Sequence, residues 1–274
     1  MNGSRKLKSA PVGVVGKVLR ILELLDQSPS GLQLKDIAGF TGLNKSTAHR
    51  LLTHLENTAY LFRDEHGSYM IGPKLVRMGH GTNYQTTLRS LSRPVVARLW
   101  RATGETVNLS VLDGHEVLYV DVLESPHNFR LVSQVGMRRP LHCTALGKAI
   151  LSHINPDRAK EYLANARFER TTPKTIINVT QLKKDLAESL ARGYSLDDEE
   201  AVTGARCISA AIFDAGGDVT AAISISGPVV RIERAKILPF AKLVRAAADS
   251  ISQKLGYVPP EPEKPSSQRK VRER

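Results

Sequence analysis

Apolar positions recur at helical spacing along the first sixty residues and then change to alternation. In "KVLRILELLDQSP", Val18, Ile21, Leu22 and Leu25 fall on one stripe of a helix that begins near Gly16. Ser28-Pro29-Ser30-Gly31 stops it. "LQLKDIAGF" predicts a short second helix with Leu34, Ile37 and Ala38 turned inward. Thr41-Gly42-Leu43 reads as a tight turn. Asn44 then suits the N-cap of a third helix reaching about Asn57, with Ala48, Leu51, Leu52 and Leu55 inward. In "YLFRDEHGSYMIG" two short strands flank the polar turn Asp64-Glu65-His66-Gly67. Three helices and a hairpin in about sixty residues are the plan of a winged helix-turn-helix.

Residues 73–102 carry six Lys/Arg and no acid, and predict a helix, a looser region at Gly79 and Gly81, then more helix. Beyond Glu105 the texture is different. "ETVNLSVLDGHEVLYVDVLE" alternates on both sides of Asp113-Gly114, a hairpin signal. "FRLVSQV" is expected as a third strand. "TALGKAILSHI" starts a helix capped by Thr144, and "PDRAKEYLANA" and "TQLKKDLAESLARG" are further helices, the last stopped by Gly193. "ARCISAAIFDAGGDVTAAISISG" predicts another hairpin, and an amphipathic helix runs from about Ile232 to Leu255. The expected class is therefore α+β, a winged helix-turn-helix followed by a domain with a mainly antiparallel sheet. Its domains are a disordered basic N-terminus (1–11), the winged helix-turn-helix (12–72), a linker helix (73–90), the α+β domain (91–257) and a disordered charged tail (258–274).

Charge sharpens this division. Residues 1–102 hold fifteen Lys/Arg against six Asp/Glu, a net +9. Residues 103–260 are nearly balanced at +1, and the tail adds +2. An excess confined to the first third suits contact with a polyanion. No apolar run is long enough to span a membrane, and no apolar segment resembles a secretory signal. The two cysteines, Cys143 and Cys207, show no metal-ligand spacing, so neither zinc nor a disulfide framework is expected. A cytoplasmic protein without cofactor or metal is the simplest expectation.

The third helix carries the first candidate chemistry. A recognition helix enters the major groove by its N-terminal end, which must be slim and rich in hydrogen-bond donors. Asn44, Ser46 and Thr47 supply short polar groups there. Lys45 and Arg50 can reach phosphates or guanine edges, and His49 lies on the outward side. In the second domain, the N–H groups of Ala145 to Gly147 at a helix start suit an anion if Thr144 caps. Ser224 and Ser226 stand two apart on one strand and therefore share a face.

The N-terminal segments "VLRILELL", "LQLKDIAGFTGLNKSTAHRLLTHLE" and "YMIGPKLVRMG" resemble the IclR family of bacterial transcriptional regulators. So do "TGETVNLSVLDGHEVLYVD", "RRPLHCTALGKAIL", "GYSLDDEEAVTGARCISAAIFD" and "AAISISGP", in the same order. The resemblance runs from about residue 15 to 257 and implies a GAF-like second domain that binds a small effector, often a carboxylate. It implies homodimers or homotetramers on double-stranded operator DNA, acting as repressor or activator. Carried over position by position, the effector residues are Leu131, Met137, Ala145, Leu146, Asp197, Cys207, Ser224 and Ser226. Asp197 is at odds with an anion unless it accepts from a ligand hydroxyl, is protonated, or braces the loop. Asp198, Glu199 and Glu200 read as a solvated acidic turn.

Leu75, Val76, Met78, Leu88, Leu91, Val95 and Leu99 could pair with their counterparts in a second subunit. A rival reading is an enzyme acting on a small acid and tethered to DNA. No GxSxG, HExxH, P-loop or GxGxxG supports it, and His142 and Cys143, adjacent on an extended segment, point apart.

Overall fold

A computed structural model describes residues 13–80 and 84–259, without the side chains of Gly79 and His80. The expected disordered ends, 1–11 and most of 258–274, lie outside the described residues, as does Gly81. The chain divides into two compact units between residues 83 and 84. The expected linker, 73–90, straddles that division.

The first unit has the order α1 (Gly13–Asp26), α2 (Leu34–Thr41), α3 (Lys45–Asn57), β1 (Leu61–Arg63), β2 (Tyr69–Ile71) and α4 (Pro73–His80). Gly42 ends α2 in the left-handed region at φ 68°, which costs glycine nothing. The amide of Asn44 then caps α3, its oxygen accepting from Thr47 N at 2.9 Å. Ile21, Leu25, Ile37, Leu51, Leu52, Leu55, Leu61 and Tyr69 form one core. It collects the inward stripes of all three helices and closes them against the antiparallel hairpin.

The second unit is built on a six-stranded antiparallel sheet. Its strands are β3 (Thr106–Asp113), β4 (Glu116–Leu123), β5 (Arg138–Pro140), β6 (Ser195–Asp198), β7 (Ala205–Phe213) and β8 (Val219–Pro228), in the order β5-β4-β3-β8-β7-β6. Helices α5 (Tyr84–Thr103) and α9 (Arg234–Lys254) pack on one face. Helices α6 (Ala145–Leu151), α7 (Pro156–Asn165) and α8 (Val179–Arg192) contribute to the core on the other.

Residue parity separates the two faces. Val107, Leu109 and Val111 of β3, Ile208, Ala210 and Ile212 of β7, and Ala221, Ile223 and Ile225 of β8 form an apolar floor beneath α5 and α9. The alternate residues face α6 and are largely polar and buried: Thr106, Asn108 and Ser110, then Ser209, then Ser224 and Ser226. Buried hydroxyls and amides cost free energy unless they are partnered, so this face is not simply a second core.

Three expectations need correction. "FRLVSQV" is not a strand. Phe129, Val132 and Val135 stand exposed, and the edge of β4 is taken by Arg138–Pro140. The segment is held instead by isolated bonds, Thr106 Oγ1 donating to Leu131 O at 3.1 Å and Arg231 Nη1 to Phe129 O at 2.6 Å. The acidic turn is not solvated as a whole. Asp198 lies in β6 and pairs with Arg206 at 2.5 Å, while Glu200 is buried against Lys148. Finally, Leu88, Val95 and Leu99 are spent in the second unit's own core and are not free to meet another subunit. Val76 and Met78 are exposed.

Candidate functional site

The start of α3 displays most of the expected groups. Lys45, Ser46, His49 and Arg50 are exposed and Thr47 is half-buried. Among the described residues, Lys45, His49 and Arg50 form no ion pair or side-chain hydrogen bond, so their donors face outward uncommitted. Asn44 and Ser46 are more constrained than the sequence suggests. Ser46 Oγ donates to Asn44 Oδ1 at 3.1 Å, the same oxygen that caps the helix. Sequence reasoning passed over Arg63 on the hairpin, whose guanidinium lies over the Tyr69 ring and donates to Gly67 O.

In the second unit, strand register assembles the other candidate site. Asp197 stands opposite Cys207, Cys207 opposite Ser226, and Ser226 opposite Thr106, one polar row across four strands. The next row is Ser195, Ser209, Ser224 and Asn108. Asn108 Nδ2 donates to Ser224 Oγ at 3.3 Å and to Ser226 Oγ at 3.2 Å. Its Oδ1 is buried without a partner.

Over these rows lies a cavity of about 80 Å3. All eight residues expected to contact an effector, Leu131, Met137, Ala145, Leu146, Asp197, Cys207, Ser224 and Ser226, line it. Tyr119, Ser133, Thr144 and Arg139 join them. Thr144 was expected there as the cap of the helix start, whereas Tyr119, Ser133 and Arg139 were not expected, nor was Asn108, which stands outside the lining against Ser224 and Ser226. Of these, Asn108 carried a legible signal, a polar residue in phase with Thr106 and Ser110 on an otherwise apolar strand. A single water needs roughly 10–15 Å3 on this scale, so the space suits a ligand of several non-hydrogen atoms.

Helix α6 is fixed tightly above the sheet. Thr144 Oγ1 accepts from Gly147 N at 3.1 Å and donates to Pro140 O at 2.7 Å. A Cβ on Gly147 would stand 2.4 Å from Leu141 Cα, so only glycine lets the two backbones approach this closely. The cap consumes the Gly147 N–H, leaving the helix start fewer free donors than expected.

The next residue, Lys148, is fully buried and ion-pairs with Glu200 at 2.6 Å and Asp185 at 2.9 Å. Burial works against its charge, yet Glu200 and Asp185 outweigh burial and hold its pKa above the usual lysine value. This triad ties α6 and α8 to the segment after β6. Thr172 Oγ1 donates to Glu199 O at 2.7 Å and Thr175 Oγ1 to Glu200 O at 2.7 Å, securing the same segment. Asp197 closes it from within, its Oδ1 accepting from Glu200 N at 2.7 Å and Ala201 N at 3.2 Å. Burial pushes the Asp197 carboxyl up to about 6, against Lys148 and these two N–H groups.

The thiols are not activated. Burial pushes Cys143 up to about 12 and raises Cys207 as well, so both are neutral thiols near pH 7. His142 Nε2 lies 3.1 Å from Glu169 O. Among the described residues no cluster of His, Cys, Asp and Glu could hold a metal, and no helix is long and apolar enough to cross a membrane.

Comparison with known proteins covers both units. The family model "IclR helix-turn-helix domain" matches residues 14–65, and "Bacterial transcriptional regulator IclR C-terminal" matches residues 81–253. The chain is 34% identical to the transcriptional repressor IclR of Escherichia coli over 241 residues, covering 87% of this chain and 88% of that one. It is 36% identical to the HTH-type transcriptional regulator BhcR of Paracoccus denitrificans over 245 residues, covering 89% and 88%. Among solved structures, the Thermotoga maritima IclR superposes with a TM-score of 0.61 at 32% identity, covering 89% of this chain and 98% of that one. An IclR homologue from Microbacterium hydrocarbonoxydans, complexed with 4-hydroxybenzoate, gives 0.58 at 26% identity, covering 87% and 97%.

Proposed function

The chain belongs to the IclR family of bacterial transcriptional regulators, and from that premise we propose that a small organic acid controls its hold on operator DNA. The acid sits in the cavity between α6 and the polar face of the sheet, and its binding alters operator affinity or oligomer geometry. The regulated genes form a catabolic operon. The acting species is a homodimer or homotetramer, the winged helix-turn-helix spans 12–72, and no catalytic step is involved.

One observation carries the reading. Five polar residues from four strands, Asp197, Cys207, Asn108, Ser224 and Ser226, are brought into two adjacent rows beneath one cavity. Asn108 Oδ1 still lacks a partner there. A sheet face that only had to pack α6 would carry Val or Ile at these positions, as the opposite face does. The relative solved with 4-hydroxybenzoate lends support, since that compound is a small hydroxy acid.

Calorimetry of wild type and a Ser224→Ala, Ser226→Ala double variant against a panel of small acids tests this. Losing hydrogen bonds to an ionised ligand costs about 1.5–3 kcal/mol each, so the variant should bind at least tenfold more weakly. Equal affinity would place the ligand elsewhere. Recognition of two half-sites needs two copies of α3. Sedimentation at micromolar concentration should therefore show a dimer or larger species, and a stable monomer with and without DNA would contradict the assembly.

A further inference from the structure

The two ends of the cavity differ in chemistry. The inner end is rich in acceptors. Asp197 is nearly fully buried and contributes a carboxylate beside the hydroxyls of Ser224 and Ser226, while Asn108 stands outside the lining and donates to both serines. The outer end carries Arg139. Its β5 position lies opposite Val117, and Val117 shares the face of Tyr119 two residues on, so Arg139 lies on the α6 side of the sheet. It is exposed and lines the cavity. The neighbouring Arg138 is occupied by Asp113, whereas the Arg139 guanidinium has no ion pair or hydrogen bond among the described residues. Among the described residues, Arg139 and Asp197 are the only charged ones in the lining.

We propose that Arg139 is an effector-binding residue and that the ligand is a hydroxy acid held with its carboxylate outward on Arg139 and its hydroxyl inward on Asp197, among the serines that Asn108 positions. This rests on the acid-binding reading of the same cavity. A carboxylate placed at the inner end would meet the Asp197 carboxylate, a repulsive contact. A hydroxyl placed there has a proton to donate, and it can also accept from Ser224 or Ser226. At the mouth, a planar guanidinium matches a carboxylate with two parallel N–H···O bonds. The reversed orientation would leave Arg139 unused and Asp197 opposed. Keto acids lack the inward proton and are the weaker ligands.

Matched probes separate the two ends. Calorimetry on the full-length protein would compare hydroxy acid, deoxy acid and hydroxy amide in two series: lactate, propionate and lactamide, then 4-hydroxybenzoate, benzoate and 4-hydroxybenzamide. Wild type should prefer the hydroxy acid over both analogues at least tenfold in the series that fits. Arg139→Ala should abolish the preference for acid over amide and keep the preference for hydroxyl over hydrogen. Asn108→Ala, and Asp197→Asn, whose amide oxygen can still accept from Glu200 N and Ala201 N, should do the opposite. Thermal melts establish that each variant is folded. An Arg139→Ala protein that still discriminates acid from amide overturns the proposal. So does loss of acid preference in Asp197→Asn or Asn108→Ala with Arg139 intact. If no acid in either series binds wild type, the acid-binding reading itself fails. If acids bind but the serine variant weakens them while Arg139→Ala does not, that reading stands and this one falls.

Discussion

Asp197 is the residue whose role the sequence left most open, and the structure gives it two tasks. Its carboxylate braces the segment after β6 through two backbone N–H groups and also lines the cavity. Charges and thiols face it from several elements: Lys148 on α6, Cys143 just before it, Cys207 on β7, and Glu200 beyond β6. Burial raises its pKa from the ordinary 3.8 to about 6. A carboxyl raised on folding contributes stability that is complete below about 4 and is lost as pH rises through 6. Near pH 7 the fold therefore carries the cost of an ionised buried acid, on the order of 3 kcal/mol. Asp197→Asn keeps the acceptor and removes the charge. Denaturant titrations should find the variant gaining on wild type between about pH 4 and pH 6.5, with little further change above that. A difference independent of pH would mean that Asp197 is ionised at no unusual cost. The serine pair was legible because hydroxyls two apart on a strand must share a face. Arg139 and Tyr119 were not singled out, because their place in the cavity depends on which strand lies beside which.

At the scale of elements, periodicity located nearly every helix and hairpin. Asn44 and Thr144 cap α3 and α6 as their positions in the sequence imply. The failures share a cause. "FRLVSQV" alternates like a strand, but a strand also needs a neighbouring edge, and none is offered to it. β6 was missed because its four residues include two acids, and those are tolerated only because Arg206 and backbone N–H groups receive them. The Lys148–Glu200–Asp185 triad was equally invisible, since its members are 52 and 37 positions apart from Lys148 in the chain. Removing one partner of a buried ion pair leaves an uncompensated charge and costs about 3–5 kcal/mol. Lys148→Ala should lower stability by that amount and loosen the segment bearing Asp197. A thermal melt within a degree or two of wild type would show that the triad does not hold α6 to the sheet.

At the scale of the whole molecule, the two units divide the candidate tasks rather than the charge. Of the net +9 of residues 1–102, +5 falls in the first unit, with an α3 whose Lys45, His49 and Arg50 are uncommitted, and the other +4 comes from Arg89, Arg93, Arg98 and Arg101 of α5 in the second unit, which also holds the polar cavity. Binding to DNA should weaken steeply with salt, log K falling by about 0.9 for each phosphate neutralised. Lys45→Ala, Arg50→Ala should reduce that slope by about 1 for each phosphate left without its cation, or relax specificity at one base pair where the side chain reads a base edge. Unchanged binding in that double variant would remove α3 from the interface. The central claim is that the two units are coupled through the acid. Its most direct test is fluorescence anisotropy of full-length protein on the DNA flanking its own gene, titrated with small hydroxy acids. At least one acid should shift the DNA affinity or the size of the complex, and the Ser224→Ala, Ser226→Ala protein should bind the same DNA yet need at least tenfold more acid. Tight, sequence-selective binding that no acid alters, or an identical response in the serine variant, would contradict the account.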